Sequence, residues 1–207
     1  MAGRFLTDDG KQALTDVIRT IESRSSAEVV FAVRPSSGSY FHADLLAAIL
    51  GGLASLGFLL FSPWTFDLVW FVVDPVVAGA LAGLVASRLP AVRKVLTRPS
   101  VRRRWVEQAA RSTFVEKRVH QTRGRTGLLI YVSLLEREAA VVADLGVEAA
   151  VPSDRWAAAV ERVVETVRRG GDALAMADAT QDLDAILALS LERAADDVNE
   201  LADEVDG

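Results

Sequence analysis

The sequence predicts a mixed α/β domain, with helices on both faces of a small sheet, interrupted by a two-helix transmembrane hairpin. Three observations carry this reading. Residues 45–66 contain no charge and residues 68–87 contain only Asp74, so two segments of about 20 apolar residues, enough to cross a bilayer as helices, follow one another. On either side of them, runs with helical spacing alternate with short runs of strand character. Charge is also segregated: residues 88–125 hold twelve Lys/Arg against Glu107 and Glu116, and residues 172–206 hold eleven acidic residues against Arg193.

The hairpin occupies residues 43–89, with spans at about 45–62 and 68–89. Ser62, Pro63, Trp64, Thr65, Phe66 and Asp67 form its turn, and Trp64 and Trp70 suit the membrane–water interface. Ala47, Gly51 and Ser55 on the first span, and Gly79, Gly83 and Ser87 on the second, place small residues four apart, a pattern that lets helices pack closely in lipid. The turn has no basic residue, whereas Arg24 and Arg34 precede the first span and the basic block follows the second. Positive flanks stay inside, so a multi-pass protein of the cytoplasmic membrane with both termini cytoplasmic is expected. The first residues lack the apolar core of a signal peptide. Asp74, seven residues from Asp67, is expected near the outer interface.

The elements follow in order. Thr7 caps a first helix with Asp8 and Asp9 in its opening turn, and Leu14, Val17, Ile18 and Ile21 give its apolar face. Residues 28–33 are a strand, ended by the Pro35 to Gly38 loop. Beyond Pro99 a helix is expected over about residues 101–120. A glycine turn at residues 122–127 leads to a second strand at 128–133, and residues 139–143 make a third, hairpin-paired with it. Ser153 is read as the cap of the next helix, which Gly170 and Gly171 end, and Asp172 caps the last. That last helix continues a stripe through Met176, Leu183, Ile186, Leu187 and Leu191, extendable to Val198, Leu201 and Val205. Strands one and two should pair in parallel and strand three antiparallel to strand two, so residues 1–40 and 90–207 form one split cytoplasmic domain.

Composition excludes several chemistries. The 207 residues include no cysteine and two histidines, which rules out disulfides, thiolate metal sites and a histidine-rich centre. An acidic total, net charge −5, and the absence of a recognisable module argue against nucleic acid as a partner. Arg93, Lys94, Arg98, Arg102, Arg103 and Arg104 sit immediately cytoplasmic of a span, where each basic residue attracts anionic headgroups by about 1 kcal/mol. Arg123, Gly124, Arg125 and Thr126, with the helix start at Ser153 nearby, are the candidate site for phosphate or another small anion. A solvated turn pairing with Asp144 or Asp154 explains the same residues.

The run from Ala27 to Val33, the stretch Arg123-Gly124-Arg125-Thr126-Gly127 leading into residues 128–133, and Leu135-Glu136-Arg137-Glu138 leading to Asp144-Leu145-Gly146 together resemble the TPM domain family. That family includes a thylakoid-lumen acid phosphatase and many bacterial membrane proteins. The resemblance implies an α/β/α sandwich and, for some members, calcium binding and phosphatase activity, with Asp144 as the candidate metal ligand here. Members tend to place an acidic residue before the glycine that opens strand two, where this chain has Arg125-Thr126. Asp8 and Asp9 are expected at the opposite end of the sheet from Asp144, too far to share an ion with it. The expected role is therefore a membrane-anchored, non-catalytic protein without a resident cofactor. It would work through anionic lipid and another membrane or membrane-associated protein. The alternatives are a calcium-dependent phosphatase and a small-anion binding module.

Overall fold

A computed structural model describes residues 5–193, 199–201 and 205–207. The chain divides into two compact units, residues 1–37 with 103–207, and residues 38–102.

The first unit is a mixed α/β domain around a three-stranded sheet. Helix α1 (Asp8–Arg24) starts where the Thr7 side chain accepts a hydrogen bond from Gly10 N–H at 3.1 Å, and it buries Leu14, Ile18 and Ile21. Strand β1 (Glu28–Arg34) pairs in parallel with β2 (Gly127–Ser133), with Glu28 opposite Gly127 and Arg34 opposite Ser133. Strand β3 (Glu138–Ala143) runs antiparallel to β2, giving the order β1-β2-β3. These pairings are the expected ones.

Alternation along the strands divides the core in two. Val29, Phe31, Val33, Leu128, Ile130 and Val132 face one way and pack with Leu14, Ile18 and Ile21 of α1, with α7 (Ser153–Arg168) and with α8 (Ala173–Ser190). Val30, Ala32, Leu129 and Tyr131 face the other way, against Val106, Ala110 and Phe114 of α5 (Pro99–Glu116). Successive side chains of a strand point to opposite faces, so both must be covered when every residue is apolar. At roughly 25 cal/mol per Å² of apolar surface removed from water, these two layers dominate the stability of the unit.

Several boundaries differ from the sequence expectation. The helix expected to reach residue 120 ends at Glu116, and a 3-10 turn (Val119–Gln121) follows Arg118, whose φ is 57°. After β3, where no element is expected, a short helix α6 (Leu145–Ala150) forms, and the Asp144 carboxylate caps it by accepting from Leu145 N–H at 2.8 Å. Ser153 is not the cap of α7. It is the first helical residue, and Pro152 holds the cap position without a side-chain bond. Gly170, at φ 83°, follows the end of α7, a backbone conformation that costs glycine little. The Asp172 carboxylate caps α8 through Ala175 N–H at 2.9 Å. Helix α8 ends at Ser190, so Leu201 and Val205 reach the core from non-helical chain; Val198 lies outside the described residues.

The second unit is a helical hairpin. Helices α2 (Phe41–Phe61) and α3 (Trp70–Arg88) are followed by the short α4 (Pro90–Leu96). Both long helices are apolar over most of their surface, and Ile49, Leu53, Phe58, Val72, Val76 and Leu81 are exposed. They are long and apolar enough to cross a membrane. In the turn, Trp64 lies edge-on to Phe58 at 6.1 Å between ring centroids. Residues 90–102, expected with the sheet domain, group with the hairpin. Two contacts tie them there: Arg93 binds Asp44, and Thr97 Oγ1 lies 3.2 Å from His42 Nε2.

Candidate functional site

The expected anion loop is bonded to the surrounding chain. Thr126 N–H donates to Thr122 Oγ1 at 2.9 Å, Arg125 N–H to Thr122 O at 3.1 Å, and Arg123 N–H to Glu200 Oε2 at 2.8 Å. Arg123 Nε is also 3.4 Å from Glu200 Oε1. Arg125 adopts a left-handed backbone at φ 56°, which costs about 1–2 kcal/mol in a residue with a Cβ. Its Nε lies 2.9 Å from Asp144 Oδ2, at an angle too poor for a hydrogen bond but close enough for an ion pair. Ser153 is exposed at the start of α7, with no capping role toward this loop.

Of the candidate anion and metal residues, Arg125 and Asp144 meet in one ion pair, whereas Arg123 pairs with Glu200. Asp144 is 4% exposed, and its carboxylate is engaged by Leu145 N–H and by Arg125. Calcium needs six or more oxygen ligands, and an adjacent guanidinium repels a cation. Asp8 and Asp9 are exposed in the first turn of α1; Leu6, just before them, lies with Val33 around Gly207, at the end of β1 away from Asp144. Among the described residues no three His, Asp or Glu side chains converge to hold a metal. The residues around Asp144 do not fit a calcium ion.

The basic residues beyond α3 fall into two kinds. Arg93 is committed: its Nε and Nη2 grip Asp44 Oδ1 and Oδ2 at 3.0 and 2.7 Å, and its guanidinium lies 5.8 Å from the centre of the Tyr40 ring. Lys94 and Arg102 are half-buried, and Arg102 Nε is enclosed. Arg98, Arg103 and Arg104 are exposed.

The small residues of the hairpin sit at or beside a close contact. A Cβ on Gly51 would collide with Ala82 Cβ, and one on Gly79 would come 2.8 Å from Ala48 O. One on Gly83 would come 3.1 Å from Ala48 Cβ. Gly52, against Pro75 O at 2.9 Å, belongs to the same seam although the every-fourth pattern passes over it. Ala47 and Ser55 are half-buried, and the Ser87 hydroxyl turns back to Leu84 O at 2.7 Å. Gly83→Leu is expected to loosen the hairpin by about 1–2 kcal/mol, the scale of intramembrane helix contacts. Reduced disulfide crosslinking between cysteines placed at Ala48 and Ala82 would report it.

Sequence reasoning passed over a polar cluster at the carboxyl ends of β1 and β2. Glu136, 2% exposed, accepts from Ser133 Oγ at 2.5 Å, Ser37 N–H at 3.1 Å and Ser36 Oγ at 3.3 Å. Ser37 Oγ also donates to Ser133 Oγ at 2.7 Å and lies 2.9 Å from Tyr131 OH. Burial pushes the Tyr131 phenol up. Beside it, Asp206 Oδ2 is held by Arg34 Nη2 at 2.7 Å and Lys117 Nζ at 2.6 Å. Those two cations, Arg34 first, hold the Asp206 carboxyl below its usual range, and Asp206 in turn raises Arg34. A Ser–Glu pair resembles a nucleophile and its base, but here Ser133 is wholly buried. Its visible work is to tie the loop after β1 to the turn between β2 and β3.

Comparison with known proteins agrees with this fold. No curated protein matches the chain. The NMR structure of BA42 protein from the psychrophilic bacterium Bizionia argentinensis matches with a TM-score of 0.59 at 17% identity, over 98% of this chain and 94% of that one. At that identity the likeness shows the fold alone. Residues 92–186, from α4 into α8, match the family model described as TPM domain, so the resemblance carried by the strand and turn residues holds over that stretch.

Proposed function

We propose that this chain is a membrane-anchored TPM-domain protein of the cytoplasmic membrane, with both termini inside, acting through anionic lipid and protein contacts rather than catalysis. One observation carries the anchoring: two helices of 21 and 19 residues stand side by side with aliphatic and aromatic side chains facing outward. At 1.5 Å rise per residue they are about 31 and 28 Å long, against a hydrocarbon core of about 30 Å. Leaving that surface in water would oppose folding, whereas lipid accepts it. The exposed Arg98, Arg103 and Arg104 are the headgroup contacts this reading favours. The Arg125–Asp144 pair and the enclosed Ser133 support a role without catalysis, and no metal is needed for it.

Orientation can be read directly in a chain without cysteine. Single cysteines at Ser62 and Ser153 are expected to react oppositely with an impermeant maleimide in intact cells, Ser62→Cys labelling from outside. External labelling of Ser153→Cys would reverse the topology. For the lipid contact, binding of the full chain's basic segment to vesicles should weaken with salt and with Arg98, Arg103 and Arg104 changed to alanine, at roughly 1 kcal/mol each.

A further inference from the structure

Strand β1 lies at the edge of the sheet, since β2 covers only one of its sides. Its other side is met by the C-terminal segment. Leu201 N–H donates to Glu28 Oε2 at 3.2 Å. Five residues on, Asp206 forms a parallel bridge opposite Ala32: its N–H donates to Phe31 O at 2.9 Å, and Val33 N–H donates to its carbonyl at 2.7 Å. The same residue places its carboxylate between Arg34 and Lys117. Two kinds of recognition coincide here. Backbone pairing accepts any extended chain, and the two cations require a carboxylate at the position opposite Ala32.

We infer that the β1 edge, with Arg34 and Lys117, is a recognition site for an extended acidic peptide of a partner protein, and that residues 205–207 are its intramolecular occupant. The described residues of that segment hold β1 through this one bridge, the ion pairs, an Arg34 Nη1 bond to Asp206 O at 3.2 Å and the Leu201 bond to Glu28, with Val205 packed against the core. The side chains of Arg34, Asp206 and Lys117 are 33%, 29% and 43% exposed, so water and salt weaken their attraction. A partner strand with a matching acid and further backbone bonds can therefore displace the segment, despite the advantage of being tethered. Glu116 and the buried Glu136 also bear on this end of the sheet. Their charge disfavours a free phosphate dianion and leaves a peptide carboxylate, aligned by backbone bonds, as the better ligand.

The test uses the full chain in detergent and a fluorescent peptide with the sequence of residues 199–207, alongside the same peptide with asparagine in place of its eighth residue. Asp206→Ala weakens the internal occupant, so the acidic peptide should bind that variant about tenfold more tightly than the unmodified chain. The asparagine peptide should lose that gain, as should the Asp206→Ala chain when Arg34→Ala is added. Hydrogen exchange adds a structural readout. The Val33 amide should exchange faster in Asp206→Ala and regain protection with the acidic peptide. Equal binding of the two peptides, or no renewed protection, overturns the proposal. If Asp206→Ala does not fold, Lys117→Ala keeps the bridge and should speed Val33 exchange by itself; unchanged exchange overturns the proposal as well. A concentration-dependent dimer formed by exchange of this segment would assign the site to a second copy instead, and so also overturn it.

Discussion

Glu136→Ala is expected to lower the stability of the sheet domain by about 2–4 kcal/mol, although the residue sits in the turn between β2 and β3. Its carboxylate receives Ser133 Oγ, Ser37 N–H and Ser36 Oγ, and truncation leaves Ser133, fully buried, without that acceptor. A buried donor left unpaired costs about 1–3 kcal/mol. Relief from burying a charge works in the opposite direction, which keeps the total below the sum of three lost bonds. Glu136→Gln retains the volume and one acceptor oxygen, so it should cost about 1 kcal/mol. Urea unfolding in detergent followed by circular dichroism separates the two variants. An alanine variant as stable as the unmodified chain would mean that water replaces the carboxylate without loss.

Gly127→Ala should be at least as damaging, about 3 kcal/mol, or abolish folding, for a different reason. A Cβ at that position would overlap Val119 O and come 2.8 Å from Val119 Cγ1 and 2.9 Å from its carbonyl carbon. Neither backbone can retreat easily. Gly127 is paired with Glu28 in the sheet and its carbonyl accepts from Asp144 N–H at 2.9 Å, while Val119 is buried at the start of the 3-10 turn. Gly124→Ala, three residues earlier in the same loop, is the control. Its nearest neighbour would be the Thr126 methyl at 3.2 Å, which can shift a few tenths of an ångström, so less than about 1 kcal/mol is expected. Similar losses at both positions would show that the loop responds to backbone entropy rather than to the close approach of Val119.

The contrast between these two sites explains how far the sequence could be read. Helices α1, α5, α7 and α8 and strands β1 and β2 announce themselves because their apolar spacing is local, and the parallel and antiparallel pairings follow from element order. Helix α6 was hidden because Leu145-Gly146-Val147 has too little helical pattern, and only the Asp144 cap makes it a helix. The Arg125–Asp144 pair was legible because both residues lie at the same end of the β2–β3 pairing. Ser37 and Glu136 meet across about a hundred residues, and Asp206 meets Arg34 across more, with no periodicity linking them. Arg93 looked like one of six equivalent cations until Asp44, at the head of an apolar helix, proved to be its partner.

The pairing of Glu28 with Gly127 also sets a timetable for synthesis. A ribosome adding about 5–20 residues per second needs about 5–20 s to pass from one to the other. Throughout that interval β1 has been made but its partner strand does not exist. The insert between them is complete well before β2 begins. If it enters the bilayer as proposed, integration comes first, and the sheet closes only afterwards. The thermodynamic gain from gathering the ends of the insert beforehand is slight, since halving a loop saves about 0.6 kcal/mol. Order of events therefore matters more than energy. A delay in membrane insertion should appear as aggregation of newly made chains, with Val29, Val30 and Phe31 exposed at the sheet edge, rather than as reduced stability of the finished protein.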